Sequence, residues 1–333
     1  MPPKGIAKSA SSTLAYRLVK ERLLLVEQEI ERACHSEIAL ASKIAEYLHR
    51  SGGKRLRPAI VLLSASSCGY QGDDDIELGA IVEFIHTATL VHDDIVDGAT
   101  VRRGHAAANQ VWGNHTAVLL GDYLYIRSMA MSVGLGNLRL VELLSDATSR
   151  LVEGEILDVA HNGDSSLTEK SYLDIIDRKT ASLFAGCGHA GAILAGASRE
   201  QEEALASYGR NLGMTFQLID DLLDYCANPQ RLGKQTGADL REGKVTLPLI
   251  LLLRQGPESA RAHALRCLSD PEVAQQGLDE LVEAMRAAGC FGAAREVAED
   301  YAHEARDRLV ALPPSHAREA LAELPDFVIE RQH

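Results

Sequence analysis

Apolar residues recur along most of the chain at the three- and four-residue spacing of helices that bury one face. Leu18, Leu25, Ile30 and Ile38 sit among Glu and Arg, and Leu78, Ile81, Val82 and Ile85 keep the same period. So do Leu205, Leu212, Phe216, Ile219 and Leu223, and, near the C-terminus, Leu278, Leu281, Val282 and Met285. No sustained alternation of apolar and polar residues marks a strand, and the one Asn-Gly pair, Asn162-Gly163, is not flanked by such alternation and so marks no hairpin. Breaks at 51–53, 69–72, 134–137, 162–164, 228–237, Gly256-Pro257, Asp270-Pro271 and Pro313-Pro314 read as short loops between helices. The pattern predicts one all-α domain over residues 1–333, of about a dozen helices. Residues 1–13, small, polar and Pro-containing, are expected to be loose.

Composition changes this picture little. At roughly 150 residues per domain the length suggests two domains, a prior that the unbroken helical period overrides. Hydrophobic residues at 46% and charged residues at 24% are those of a globular chain, which excludes disorder. The net charge of −13 argues against nucleic acid as a partner. The start lacks the apolar core of a signal peptide, and the six scattered cysteines form no CxxC pair, so free thiols in the cytoplasm are expected. Thr180–Ser198 is uncharged and nearly long enough to cross a membrane. It is built mainly from Ala, Gly and Ser, which predicts a buried helix rather than a span.

The strongest chemical signal is a pair of acidic clusters, Asp93-Asp94-Ile95-Val96-Asp97 and Asp220-Asp221-Leu222-Leu223-Asp224. Both read DDxxD, and both end an apolar helical run. Residues four apart in a helix lie about 6 Å apart on one face. Asp93 therefore stacks with Asp97, and Asp220 with Asp224, where like charges repel unless a cation lies between them. Hard oxygen donors suit Mg²⁺, with phosphate and water completing its shell. An EF-hand is excluded, because Ile95 and Gly104 stand at the third and twelfth loop positions counted from Asp93, and Leu222 and Tyr225 at the third and sixth counted from Asp220, where oxygen ligands and the turn glycine are required. A third acidic run, Asp73-Asp74-Asp75, opens a helix, where carboxylates cap free N–H groups and suit the dipole.

Basic runs accompany the clusters: Lys54-Arg55-Leu56-Arg57 at a Gly-Gly loop, Arg102-Arg103, Arg178-Lys179, and Lys234 and Lys244 around the loop after the second cluster. Each alone reads as solvated surface charge. Beside two Mg²⁺-type clusters they suggest phosphate-bearing ligands, gripped by Arg in bidentate fashion and by Lys as a point charge.

These residues are similar to the trans-isoprenyl diphosphate synthases, the polyprenyl synthetases. The matching stretches are GGKRLRP (52–58), FIHTATLVHDDIVD (84–97), RRG (102–104), GDYLY (121–125), EGEILD (153–158), RKTASLF (178–184), GMTFQLIDDLLDY (213–225), LGKQTGADL (232–240) and EGKVTLPL (242–249). The resemblance implies the type I isoprenoid synthase fold, with helices surrounding a deep central cavity, and a homodimer. It implies that an allylic diphosphate ionises, isopentenyl diphosphate attacks the cation, and a proton is lost to the released diphosphate. About two to three Mg²⁺ ions would be held by Asp93, Asp94 and Asp97 and by Asp220, Asp221 and Asp224. Arg102, Lys179 and Lys234 would add positive charge there, with Lys244 nearby. Lys54, Arg57, His86 and Arg103 would bind isopentenyl diphosphate. Thr180 and Gln217 match positions facing the reacting carbons, and Lys179, Thr180 and Gln217 form the implied catalytic set. Departures are small: Val245 and Ser182 replace a frequent Pro and a frequent charged residue, and 98–100 lack an acidic residue often found there.

The growing tail is expected to run down the helix that carries the first cluster. Ala88 and Thr89, one turn below Asp93, are small where shorter-chain relatives carry an aromatic. The product is then at least about six isoprene units long, at roughly one helical turn per unit. Phe84, Ile85 and Ile81, with Met129 and Met131, are candidates for the floor. The resemblance favours an octaprenyl product for a quinone side chain, with hepta-, nona- and decaprenyl products as alternatives, and a membrane contact for product release. A class I terpene cyclase lacks the GGKRLRP loop and a second full DDxxD. A non-catalytic subunit of a heteromeric synthase loses aspartates that are all present here, and a helical metal-binding protein would not need the basic loops.

Overall fold

The structure is a computed structural model and describes residues 13–35, 37–50, 53–102, 104–226 and 236–331. The described residues form sixteen α-helices and one two-stranded hairpin. In chain order the helices are α1 (Leu14–Cys34), α2 (Ala39–Arg50), α3 (Leu56–Ser67), α4 (Asp74–Val96), α5 (Ala108–Trp112), α6 (Asn114–Gly134), α7 (Leu138–Ala160) and α8 (Glu169–Ile176). After a π-helical turn, Asp177–Ala181, come α9 (Ser182–Leu194), α10 (Arg199–Cys226), α11 (Ala238–Arg241), α12 (Leu247–Gln255), α13 (Glu258–Ser269), α14 (Pro271–Ala287), α15 (Cys290–Arg308) and α16 (His316–Ile329). The expected all-α architecture is what is found. The hairpin, β1 (Val101–Arg102) and β2 (His105–Ala106), is too short to show as a period in the sequence. Thr13, expected to be loose, instead caps α1, its Oγ1 accepting from the Tyr16 N–H at 3.4 Å.

The chain divides into two compact units. The first holds the described residues up to Thr148, with 183–209 and 308–324. Here α1 lays Tyr16, Val19, Leu23, Val26 and Ile30 into a core shared with α3 and α4, and α4 packs chiefly on α6. Close approaches need glycine: a Cβ on Gly188 of α9 would lie 2.2 Å from the Leu205 carbonyl oxygen, and one on Gly191 2.7 Å from that of Val61. The small-residue stretch is thus a buried helix. No helix among the described residues is long and apolar enough to cross a membrane.

The acidic start of α4 differs in detail from the expectation. Asp73 makes no side-chain cap hydrogen bond. Instead Arg22 of α1 binds Asp73, the Gly72 carbonyl and the buried Asp75, so these carboxylates fasten α1 to α4.

The second unit holds 149–182, 210–307 and the described residues from Pro325. Its core is built from the C-terminal half of α10 and from α12 to α15. A ladder of buried alanines on α15, Ala294, Ala298, Ala302 and Ala305, lets neighbours come close, and Thr215 of α10 reaches the Ala298 carbonyl at 3.4 Å. All six cysteines are free.

Candidate active site

The first acidic cluster closes α4. The Asp97 N–H donates to the Asp93 carbonyl at 2.8 Å, so the two residues stand one turn apart on one face, as their spacing predicts, and both are half-buried. Asp94 is buried and plays a different part. Its carboxylate accepts from the Arg102 Nε at 2.7 Å and pairs with the same guanidinium's Nη2. Its carbonyl accepts from Asn109 at 3.0 Å and from the Ala99 N–H at 2.9 Å. Asp94 therefore ties the hairpin and α5 to the end of α4. Burial opposes the charge on Arg102, but Asp94, helped by Asp93 and Asp97, holds its pKa above the ordinary value.

The basic loop divides in a way that spacing alone does not reveal. Lys54 and Arg57 are half-buried, whereas Arg55 is buried. Arg55 is the N-cap of α3, with a left-handed φ of 50°, and ion-pairs with Glu27 at 2.6 Å and Glu83 at 2.7 Å. It is a structural cation that joins α1, α3 and α4. The Arg57 guanidinium stacks 4.5 Å over the Phe184 ring, which orients it. His86 is half-buried on α4, and its carbonyl accepts from the Thr89 hydroxyl at 2.8 Å. Arg103 and Lys234 lie outside the described residues.

The second cluster lies on α10, in the other unit. Its three carboxylates have three different surroundings. Asp220 is 46% exposed, with the Arg331 Nη2 at 3.5 Å; the same guanidinium stacks 4.4 Å over Phe216. Asp221 is buried and accepts from the Tyr172 hydroxyl and, at 2.7 Å, from the Gln217 Nε2. Burial pushes its pKa up to about 7, against the lowering effect of those two donors. Asp224 is buried; its carboxylate accepts from the Asp239 N–H at 3.1 Å and its carbonyl from the Gly237 N–H at 2.8 Å. Asp224 thus holds the chain that returns after the cluster.

Lys179 and Thr180 lie in the π turn, a local widening that often marks functional positions. Two contacts hold the turn. Asp177 is clasped by Arg150 at 3.0 Å and Arg210 at 2.5 Å. On its other side the backbone of Lys179 presses on Gly154 of α7, where a Cβ would lie 2.3 Å from the Lys179 nitrogen. Glu155 and Asp158, on the same stretch of α7, each bind the Lys179 Nζ at 2.7 Å. Burial raises the pKa of Glu155, opposed by Lys179 and, more weakly, by Lys244. Lys244 itself pairs with Glu242 at 2.8 Å. The Thr180 hydroxyl donates to the Gln217 Oε1 at 2.8 Å, so Thr180, Gln217 and Asp221 are brought together.

Of the chain-length candidates, Phe84, Ile85, Ala88 and Met131 are buried, and Thr89 and Met129 are half-buried. Sequence reasoning misses Tyr172, which no motif marks. Nor does the stretch 153–158 reveal by itself that Gly154 admits the π turn or that Glu155 and Asp158 grip Lys179.

Each cluster's donors fit Mg²⁺ on chemical grounds: in the first unit the half-buried Asp93 and Asp97, and in the second unit the part-exposed Asp220, offer carboxylate oxygens only. Among the described residues no group of three or more His, Cys, Asp or Glu side chains is arranged to hold a metal ion by itself. An ion held at either cluster would take its other oxygens from phosphate and water.

Comparison with known proteins agrees with this chemistry. A polyprenyl synthetase family model matches residues 38–285. The chain is 41% identical over 307 residues to the octaprenyl diphosphate synthase of Escherichia coli K12, covering 92% of this chain and 94% of that one. It is 36% identical over 314 residues to an all-trans-nonaprenyl-diphosphate synthase of Rhodobacter capsulatus, covering 94% and 96%. Among solved structures, a polyprenyl synthase from Caulobacter crescentus, complexed with calcium and isoprenyl diphosphate, superposes with a TM-score of 0.93 at 39% identity, covering 96% of this chain and 98% of that one.

Proposed function

The chain belongs to the polyprenyl synthetase family, and from that premise we propose that it lengthens an allylic diphosphate, farnesyl diphosphate first, by head-to-tail addition of isopentenyl diphosphate to give octaprenyl diphosphate. It is a prenyltransferase. The observation that carries the reading is the pair of DDxxD helix ends together with basic loops in a chain that matches the family over most of its length. The 41% identity to an octaprenyl enzyme favours eight units, and the 36% identity to a nonaprenyl enzyme makes nine the second reading.

In this reading Asp93, Asp97 and Asp220 hold Mg²⁺, while Asp94, Asp221 and Asp224 orient the groups around them. Bound Mg²⁺ supplies charge neutralisation of the departing diphosphate. Arg102, kept charged by Asp94, and Lys179, carried by Glu155 and Asp158, add positive charge for the same leaving group. Lys54, Arg57, His86 and Arg103 receive isopentenyl diphosphate. The allylic carbon–oxygen bond breaks with its electron pair on the diphosphate, and the isopentenyl double bond forms the new carbon–carbon bond. A proton then passes to the released diphosphate. Oxygen dipoles of Thr180 and Gln217 stabilise the transient positive charge, the term that preorganised sites use most.

We also assign the outer face of α6 to a second copy of the chain: Leu119, Ile126 and Val133 recur every seventh residue there and are 63–68% exposed. Sedimentation at micromolar concentration tests this, with a monomer as the refuting result. The reaction is tested by incubating the protein with farnesyl diphosphate, labelled isopentenyl diphosphate and Mg²⁺ and sizing the extracted products. An octaprenyl peak supports the reading; a product of geranylgeranyl length or shorter refutes it.

A further inference from the structure

One fully buried group stands beside the proposed machinery with no part in it. Tyr172 of α8 lies in the second unit, and its hydroxyl ends on Asp221. A phenol hydroxyl within hydrogen-bond distance of a carboxyl oxygen acts as the donor. Tyr172 takes Oδ2 of the carboxylate and the Gln217 Nε2 takes Oδ1, at 2.7 Å, so both oxygens are engaged and the carboxylate is fixed in plane.

That fixed carboxylate decides which way the Gln217 amide points. Both Asp221 oxygens serve as acceptors and the Thr180 hydroxyl donates from the other side, so the NH₂ group of Gln217 faces Asp221 and its carbonyl oxygen faces Thr180. The Thr180 hydroxyl meets that oxygen at 2.8 Å. The donors thus run in one direction from each end, Tyr172 to Asp221, Gln217 to Asp221, and Thr180 to Gln217. Two oxygens, those of Gln217 and Thr180, are left side by side. Were the carboxylate free to turn, the amide could rotate and present N–H groups, whose polarity is wrong for a developing cation.

We propose that Tyr172 is a positioning residue for prenyl transfer, which holds the Asp221 carboxylate so that the Gln217 amide keeps its oxygen beside that of Thr180. This rests on the prenyl-transfer reading above.

The test is a double-mutant cycle on the full-length protein, with Tyr172→Phe, Gln217→Leu and the double variant, measured by steady-state transfer from farnesyl diphosphate and isopentenyl diphosphate. Tyr172 and Gln217 act on each other only through Asp221, so a merely structural tyrosine predicts independent effects. The proposal predicts that Tyr172→Phe lowers kcat by about 10-fold with both KM values within about twofold of wild type. It also predicts that Tyr172→Phe has no further effect in the Gln217→Leu background. Multiplicative effects on kcat, or a Tyr172→Phe variant with wild-type kcat, overturn it. If the phenylalanine variant does not fold, the same cycle is run with Tyr172→Met, whose smaller and flexible side chain removes the hydroxyl. A wild-type protein that transfers no prenyl group sinks the functional reading instead, which separates the two failures.

Discussion

Gly154→Ala tests how Lys179 is placed. The added Cβ would lie 2.3 Å from the Lys179 nitrogen, 2.7 Å from its Cα and 2.9 Å from the Arg178 carbonyl carbon. All three are backbone atoms, so no side chain can swing aside. An ordinary contact there is at least about 3.4 Å, and α7 and the π turn must part by roughly 1 Å. Overpacking of this kind costs about 1–3 kcal/mol and lowers the unfolding temperature by a few degrees. The larger effect should be catalytic. Moving the turn by about 1 Å carries Lys179 and Thr180 out of register with Glu155, Asp158 and Gln217, and a misplacement of that size can cost about 100-fold in rate. Steady-state prenyl transfer and a thermal melt, run side by side, read both. Gly292→Ala is the control, since beyond the local backbone of α15 its Cβ would meet no described atom within 4 Å, and alanine there should stabilise by about 0.5–1 kcal/mol. If Gly154→Ala transfers prenyl groups at the wild-type rate with an unchanged melt, the close approach does not position Lys179.

Three further outcomes are expected. Arg55→Met leaves Glu27 and Glu83 with a buried, uncompensated charge and should destabilise by about 3–5 kcal/mol in chemical denaturation, partly restored by adding Glu83→Gln; an unchanged midpoint would remove Arg55 from the structural role. Ala88→Phe, with the half-buried Thr89→Phe as the gentler version, should shorten the product; an unaltered chain-length distribution in both would move the floor elsewhere. Asp221 has its pKa raised by burial from 3.8 to about 7, so folding favours the protonated form. Stability in EDTA should therefore fall as pH rises from about 4 through about 7 and level off above that, and Asp221→Asn should flatten the slope; a slope unchanged by the variant would assign it to another group.

The fold was legible because helices announce themselves over long stretches: the apolar periods of α4, α10 and α14 predict what is found. The hairpin at 101–106 was not, because two-residue strands carry no period. The acidic clusters were legible as pairs i and i+4, since helix geometry alone brings Asp93 onto the face of Asp97. What separates Asp94 from Asp93, or Asp221 from Asp220, is burial by partners such as Arg102 and Tyr172, and the spacing within the cluster holds no information on these. Arg55 shows the same limit, one of three neighbouring cations turned inward by a left-handed backbone. The π turn was equally silent, because the glycine it packs against, Gly154, lies more than twenty residues earlier.

If this chain builds a polyprenyl diphosphate through its two aspartate clusters, removing a carboxylate from either must stop the reaction while the helices stay intact. Wild type, Asp93→Ala and Asp220→Ala, each checked by circular dichroism, are compared for incorporation of labelled isopentenyl diphosphate in the presence of farnesyl diphosphate and Mg²⁺. Long-chain labelled product is expected from wild type, with turnover lower by orders of magnitude in both variants. Wild-type-like incorporation by either variant, or none by the wild type, would refute the role given to the clusters.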